Sequence, residues 1–190
     1  MAAEELMTPH VPTSDGYTHA MATEPIRVFE ATRPEEIHAA GELLRGYAHS
    51  LGWDDSSGWI ADEIAGLPGP YGPPRGALLL AYDGDEPAGV LGLQPVPEGA
   101  RVEGADADTA GELKRLFVRP ESRTRGIGRM LMRRAEIEAR AHGYDALVLT
   151  TSADMMPLAQ SLYESLGYTR TEPYRNDMPW PQIRWMRLAL

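Results

Sequence analysis

The stretch Glu112–His142 reads E-L-K-R-L-F-V-R-P-E-S-R-T-R-G-I-G-R-M-L-M-R-R-A-E-I-E-A-R-A-H. It predicts an apolar strand over Glu112–Val118 that Pro120 stops, a short basic loop, and a helix opening at Gly126. Arg123, Gly126 and Gly128 stand at the spacing R-x-x-G-x-G. Two glycines let the backbone approach a ligand without interference from Cβ. A helix start adds unpaired N–H groups and about half a unit of positive charge, which together suit a phosphate. Arg123, Arg125 and Arg129 place full charges around it. The loop lacks the G-K-[ST] ending of a nucleoside-triphosphate loop and the third glycine of a dinucleotide fingerprint. Its chemistry suits a pyrophosphate, although the hexapeptide alone reads equally well as a tight strand-to-helix turn of some other α/β protein.

Working outward, 190 residues with 43% hydrophobic and 24% charged side chains predict one globular domain with a real core. Residues 1–24 hold Pro9, Pro12 and Gly16 without an apolar period and read as a flexible tail, so the domain is assigned to 25–190, with Met21 a candidate second start. No run approaches the ~20 apolar residues of a membrane span. No basic-then-apolar leader opens the chain, which favours a cytoplasmic protein without membrane partners. The absence of cysteine excludes disulfides, thiolate metal sites and a cysteine nucleophile, and five scattered histidines predict no metal. A net charge of −10 argues against nucleic acid as a partner and fits a cationic or amine substrate.

In chain order, Ile26–Ala31 alternates as a strand, and Thr32 with Glu35 forms a capping box ahead of Pro34. The helix that follows carries Ile37, Ala40, Leu44, Tyr47 and Leu51 inward and ends at Gly52. A second helix over 57–67 turns Trp59, Ile60 and Ile64 inward. Pro68–Gly76, with four prolines and three glycines, is a loop whose Tyr71 and Arg75 either line a substrate mouth or form a rigid connector. Ala77–Tyr82 and Ala88–Pro95 form a hairpin across Asp83–Glu86. The helix from Gly126 has Ile127, Leu131, Ala135, Glu138 and Ala139 near one face and stops at Gly143. Ala146–Thr150 is a central strand, Asp154 caps a helix with Pro157 in its first turns, and Thr169–Glu172 and Ile183–Leu190 are closing strands.

The loop resembles motif A of the GCN5-related N-acetyltransferases (GNAT), Q/R-x-x-G-x-G/A, and the order β-α-α-β-β-β-α-β-α-β-β over residues 26–190 is also theirs. Three phrases sharpen the resemblance: E-L-K-R-L-F-V-R-P (112–120), R-T-R-G-I-G (123–128) and L-Y-E-S-L-G-Y (162–168), similar to a bacterial subgroup. The resemblance implies an α/β fold: a mostly antiparallel sheet of six to seven strands, splayed between its fourth and fifth, with about four helices. It implies an acetyl-CoA-dependent transferase that moves an acetyl group by direct attack to a primary amine of a small molecule or amino acid. A protein lysine or N-terminus as acceptor, or a non-catalytic coenzyme-binding sensor, are the alternatives.

By resemblance, a bulged fourth strand presents Leu116, Phe117 and Val118 to the pantetheine arm, with a backbone N–H near Leu116 polarising the thioester oxygen. The loop Arg123, Thr124, Arg125, Gly126, Ile127, Gly128 and Arg129 takes the pyrophosphate, and Ser152 completes the coenzyme set. Tyr163 matches the tyrosine that protonates the leaving thiolate; its alternative is a core aromatic with a hydrogen-bonded hydroxyl. Glu112 matches the glutamate that takes the amine proton, directly or through water; its alternative is a partner for Lys114 or an arginine. The acceptor candidates are Trp53, Asp54, Tyr71, Arg75, Tyr174, Arg175, Asn176 and Asp177. Arg175 departs from the subgroup pattern P-Y-Y-D-N-P and, if it lines the pocket, favours a carboxylate-bearing acceptor. Trp180 and Trp185 are candidates for a homodimer contact.

Overall fold

The computed structural model describes residues 25–190 apart from 57, 153, 155, 179 and 180, so the assigned tail, Met21 and Trp180 lie outside the described residues. Its strands are β1 (Ile26–Glu30), β2 (Ala77–Asp83), β3 (Glu86–Pro95), β4 (Ala110–Val118), β5 (Ala146–Ser152), β6 (Thr169–Arg170) and β7 (Ile183–Ala189). They form one seven-stranded sheet in the order β1-β2-β3-β4-β5-β7-β6. Every neighbouring pair is antiparallel except β4–β5. Helices α1 (Pro34–Ser50) and α2 (Gly58–Ala65) cover one face, and α3 (Ile127–Ala141) and α4 (Pro157–Ser165) cover the other.

Strand β2 shows why the middle of the sheet is apolar on both sides. Leu78 and Leu80 pack against α1 and α2, while Leu79 packs against α3, and all three are buried. The turn between β2 and β3 is the two residues Gly84–Asp85, with Gly84 at φ 62, a conformation glycine adopts without a Cβ clash.

Two features of β4 position the site. Its pairing with β5 runs only from Ala110/Ala146 to Leu113/Leu149. Beyond that point β4 continues to Val118 and β5 to Ser152 without pairing, and β5 stays bonded to β7 through Ser152. The two strands therefore open a V. On its other side β4 pairs Phe117 with Val90 and Lys114 with Gly92, which sets Arg115 and Leu116 together against Leu91. That is a β-bulge, and it bends β4 away from β5 at the opening. Arg115 sits in it at φ 62, a left-handed conformation unusual for a non-glycine residue.

Four local expectations change. Helix α1 begins at Pro34, one residue later than the Thr32–Glu35 box requires, so Arg33 is the N-cap and Glu36 closes the box. The Glu36 carboxylate accepts the N–H groups of Thr32 at 2.9 Å and Arg33 at 3.0 Å. On α2, Ile60 and Ile64 turn inward but Trp59 is 55% exposed. On α3 the buried acid is Glu136, paired with Arg133 at 2.7 Å, and Glu138 pairs with Arg134 nearer the surface. Helix α4 starts at Pro157 with Met156 as its N-cap, so Asp154 lies before the helix and does not cap it.

Candidate active site

The V widens into a groove of about 590 Å³ between the end of α1 on one side and α3 and α4 on the other. Of the residues expected to hold the coenzyme, Leu116, Phe117, Val118, Arg123, Thr124, Gly126, Ile127, Gly128 and Arg129 all line it, with Tyr47 of α1 and Leu162 of α4 opposite. Thr124 at φ 69 and Gly126 at φ 80 are both left-handed, so the loop turns back on itself just before α3. A Cβ on Gly126 would meet nothing within 4 Å; the position needs glycine for its backbone conformation, not for space. Gly128 is different, because a Cβ there would come within 3.2 Å of Leu162. The first helical bond runs from the Met130 N–H to the Gly126 carbonyl. Among the described residues the amides of Ile127, Gly128 and Arg129 have no helical acceptor, the condition for binding an anion at a helix start.

The three loop arginines are anchored in separate directions. Arg123 Nε donates to the Val118 carbonyl at 3.1 Å and ties the loop to the end of β4. Arg129 donates to Ser165 Oγ at 2.8 Å, linking α3 to α4. Arg125 pairs with Asp83 at the end of β2 and does not line the groove. Ser152 is likewise outside the lining; it is buried at the end of β5, and its carbonyl accepts the Met156 N–H at 2.8 Å.

On the α1–α2 side lies a polar cluster, called the chamber below, built around two carboxylates. Glu112 is 1% exposed. Its oxygens accept Gln94 Nε2 at 2.8 Å, the Tyr174 hydroxyl at 2.8 Å, and Arg175 Nη1 at 3.2 and 3.4 Å. Glu63 of α2 accepts Arg115 in a two-point pair at 2.9 and 2.7 Å, and the Tyr71 hydroxyl at 2.7 Å. Burial works to raise the Glu63 carboxyl, but the Arg115 contacts outweigh it and hold the group below its ordinary range. Both tyrosines are pushed well above the phenol range by burial first and the adjoining carboxylate second, so they act here as donors. The Arg115 guanidinium lies 4.8 Å from the Trp59 ring centroid, and Trp59 meets Trp53 edge-on at 5.0 Å.

The expected acceptor residues thus divide. Tyr174, Arg175, Tyr71 and Trp53 converge on this chamber, with Tyr71 buried as a support beneath it. Arg175 is committed to Glu112 and lies 2.9 Å from Asp177, so it is part of the wall. Arg75 stacks 4.5 Å from the Tyr144 ring and donates to the Asp108 carbonyl, at the end of the sheet away from the V. Trp185 packs edge-on against Tyr174 at 4.8 Å in the core and is not a surface contact. Tyr163 is buried beside Tyr168, ring centroids 6.0 Å apart, and among the described residues its hydroxyl has no hydrogen-bond partner. Burial, then Tyr47, raises it above the phenol range, so it keeps its proton. Glu63, Gln94 and Lys114 were missed as site residues: Glu63 joins through tertiary folding alone, and only the two-residue spacing from Glu112 marks Lys114.

The model of the acetyltransferase (GNAT) family matches residues 37–168, the span that carries the V, the loop and α4. The chain belongs to the GNAT acetyltransferase family. An uncharacterised N-acetyltransferase of Schizosaccharomyces pombe is 34% identical over 158 residues, covering 83% of this chain and 90% of the relative. A mycothiol acetyltransferase of Thermobispora bispora is 33% identical over 146 residues, covering 76% of this chain and 46% of that one. An acetyltransferase of Salmonella typhimurium, solved with its cofactor acetyl-CoA, superposes with a TM-score of 0.63 at 18% identity, covering 86% of this chain and 93% of that one. As a GNAT acyltransferase the chain uses acetyl-CoA as co-substrate. Among the described residues no group of three or more His, Asp or Glu is placed to hold a metal, and no helix is long and apolar enough to cross a membrane.

Proposed function

We propose that this GNAT chain, of the bacterial small-molecule subgroup, transfers acetyl from acetyl-CoA to the primary amine of a small molecule or amino acid, by direct attack in a ternary complex. The observation that carries the reading is the V between β4 and β5. It sets a groove lined by open helix-start amides beside a polar cluster built on Glu112. The mycothiol acetyltransferase among the relatives supports a small-molecule acceptor.

The amides of 127–129, with Arg123 and Arg129, hold the pyrophosphate, and Leu116–Val118 flank the pantetheine arm. The Leu116 N–H, aimed by the bulge, stabilises the thioester oxygen as charge builds on it. Glu112 takes the amine proton, directly or through a water. A carboxylate has about four acceptor sites, and Glu112 already receives four contacts. The two from Arg175 are the longest and are the ones an entering amine or water replaces. Tyr163 donates a proton to the departing thiolate, which burial keeps available on its hydroxyl.

The test is release of free thiol from acetyl-CoA over a panel of primary amines, amino acids and a lysine-containing peptide. Small amines or amino acids should drive release and the peptide should not. Tight acetyl-CoA binding with no release across the panel would refute turnover.

A further inference from the structure

Among the described residues Lys114 is the cation of the chamber without a hydrogen-bonded acceptor; its contact is a 4.0 Å ion pair with Glu112. Lys114 is the first residue of β4 beyond its last pair with β5, so it stands at the mouth of the V. It shares a strand face with Glu112, two residues before it, on the α1–α2 side. Its side chain is only 14% exposed. The nearest acid is Glu112, whose Oε2 lies 4.0 Å from Nζ, beyond hydrogen-bond reach.

That carboxylate has no acceptor site to spare, since Gln94, Tyr174 and Arg175 fill it. Glu63 takes three contacts, two from Arg115 and one from Tyr71, and none from Lys114 among the described residues. Among the described residues Lys114 Nζ has no hydrogen-bond acceptor, whereas Arg115 and Arg175 each have a carboxylate. Three cations (Lys114, Arg115, Arg175) face two carboxylates, the buried Glu112 and the partly buried Glu63, leaving one positive charge in excess within the cluster. Asp177 does not cancel it, because its side chain is 67% exposed at the rim. Burial first, then Arg115 and Arg175, push the Lys114 ammonium below its ordinary pKa, and Glu112 and Glu63 oppose that shift only in part. A second anion at this position would complete the charge balance and supply the missing acceptors.

The coenzyme's phosphates do not belong there. The loop and helix start suited to them line the groove, and Lys114 is not among the groove's residues. The unmet need is for one negative charge with acceptor oxygens, a few ångströms from Glu112, where the acceptor amine loses its proton. We propose that Lys114 binds a carboxylate of the acceptor, and that the acceptor is an amino acid or a related amino carboxylate; this rests on the acetyl-transfer reading above. Arg175, the residue whose identity first suggested an acid, serves instead as the partner of Glu112.

The test uses matched acceptor pairs that differ only in the carboxylate: phenylalanine against phenethylamine, and methionine against 3-(methylthio)propylamine. Thiol release from acetyl-CoA is followed with the full chain and with Lys114→Met and Lys114→Arg, each checked for folding by urea denaturation. The full chain should favour the acids by about tenfold or more in kcat/KM, the scale of one charge-assisted hydrogen bond. Lys114→Met should abolish that ratio and Lys114→Arg should retain part of it. A full chain that prefers the decarboxylated amines, or a folded Lys114→Met that keeps the preference, overturns the role of Lys114. No thiol release with any pair or with the wider amine panel overturns the acetyl-transfer reading, and the proposal with it.

Discussion

Replacing Arg115 by alanine and by glycine separates the two things that residue does. Both substitutions remove the ion pair with Glu63, whose carboxylate keeps only the Tyr71 hydroxyl. Breaking a fully buried pair costs about 3–5 kcal/mol. Here the partners are 12% and 15% exposed, and water relieves part of the loss, so about 2–3 kcal/mol is expected. The two variants then diverge because the backbone at 115 lies at φ 62. Alanine keeps the left-handed penalty of about 1–2 kcal/mol that arginine bears, and glycine removes it. Glycine in turn loses about 0.5–1 kcal/mol through the greater freedom of its unfolded chain. The net order of stability is wild type, then Arg115→Gly, then Arg115→Ala, with glycine ahead of alanine by about 0.5–1 kcal/mol. At an ordinary strand position the order is reversed, with alanine ahead by a similar amount. Urea denaturation with matched m-values reads the difference directly. Alanine more stable than glycine would show that residue 115 is not left-handed in solution, and the bulge that aims the Leu116 N–H would fall with it.

Tyr163→Phe should lower kcat at least tenfold with little change in the acetyl-CoA KM, because only proton donation to the thiolate is lost; unchanged turnover would remove Tyr163 from the mechanism. Gly92→Ala should destabilise the fold by about 2 kcal/mol, because its Cβ would lie 2.5–2.9 Å from Tyr71 ring atoms that are packed in the core, and thermal or urea unfolding checks it. Glu36 is held down to about 2 from 4.5 by backbone hydrogen bonds at the start of α1 and by Arg33, so its contribution is present above pH 4.5 and lost as pH falls toward 2. Glu36→Gln should therefore be less stable than wild type by about 1 kcal/mol at neutral pH and equal to it near pH 2, a difference acid-dependent unfolding would show.

The succession of strands and helices along the chain was legible because β2, β5 and α3 carry clear apolar periods and because glycines punctuate them, whereas the place of β7 between β5 and β6 was not. Helix starts were legible only to within a residue or two. Thr32 and Glu35 have the residue types of a box, but Pro34 takes the first helical position, and only the Glu36 carboxylate closes back, on the Thr32 and Arg33 amides. The loop from Arg123 to Arg129 was readable because its spacing is local. The cluster around Glu112 was legible only as separate residues, since it joins α2, β3, β4 and the segment around Tyr174 across separations of 18 to 63 residues. Glu63 looked like any solvent-facing acid of a short helix, and its pairing with Arg115 depends on the bulge turning that side chain toward α2. Arg75 illustrates the converse: a proline- and glycine-rich loop beside a strand resembles a pocket rim, but this one closes over Tyr144 at the far end of the sheet.

The central claim is that the V between β4 and β5 is the acyl-coenzyme cleft, and amide hydrogen exchange with and without coenzyme A tests it most directly. The account predicts slowed exchange in two separate places, the amides of Ile127–Arg129 at the start of α3 and those of Leu116–Val118 beyond the bulge, with β1 and β2 unchanged. Protection elsewhere on the molecule, or at the loop without the strand, would contradict it.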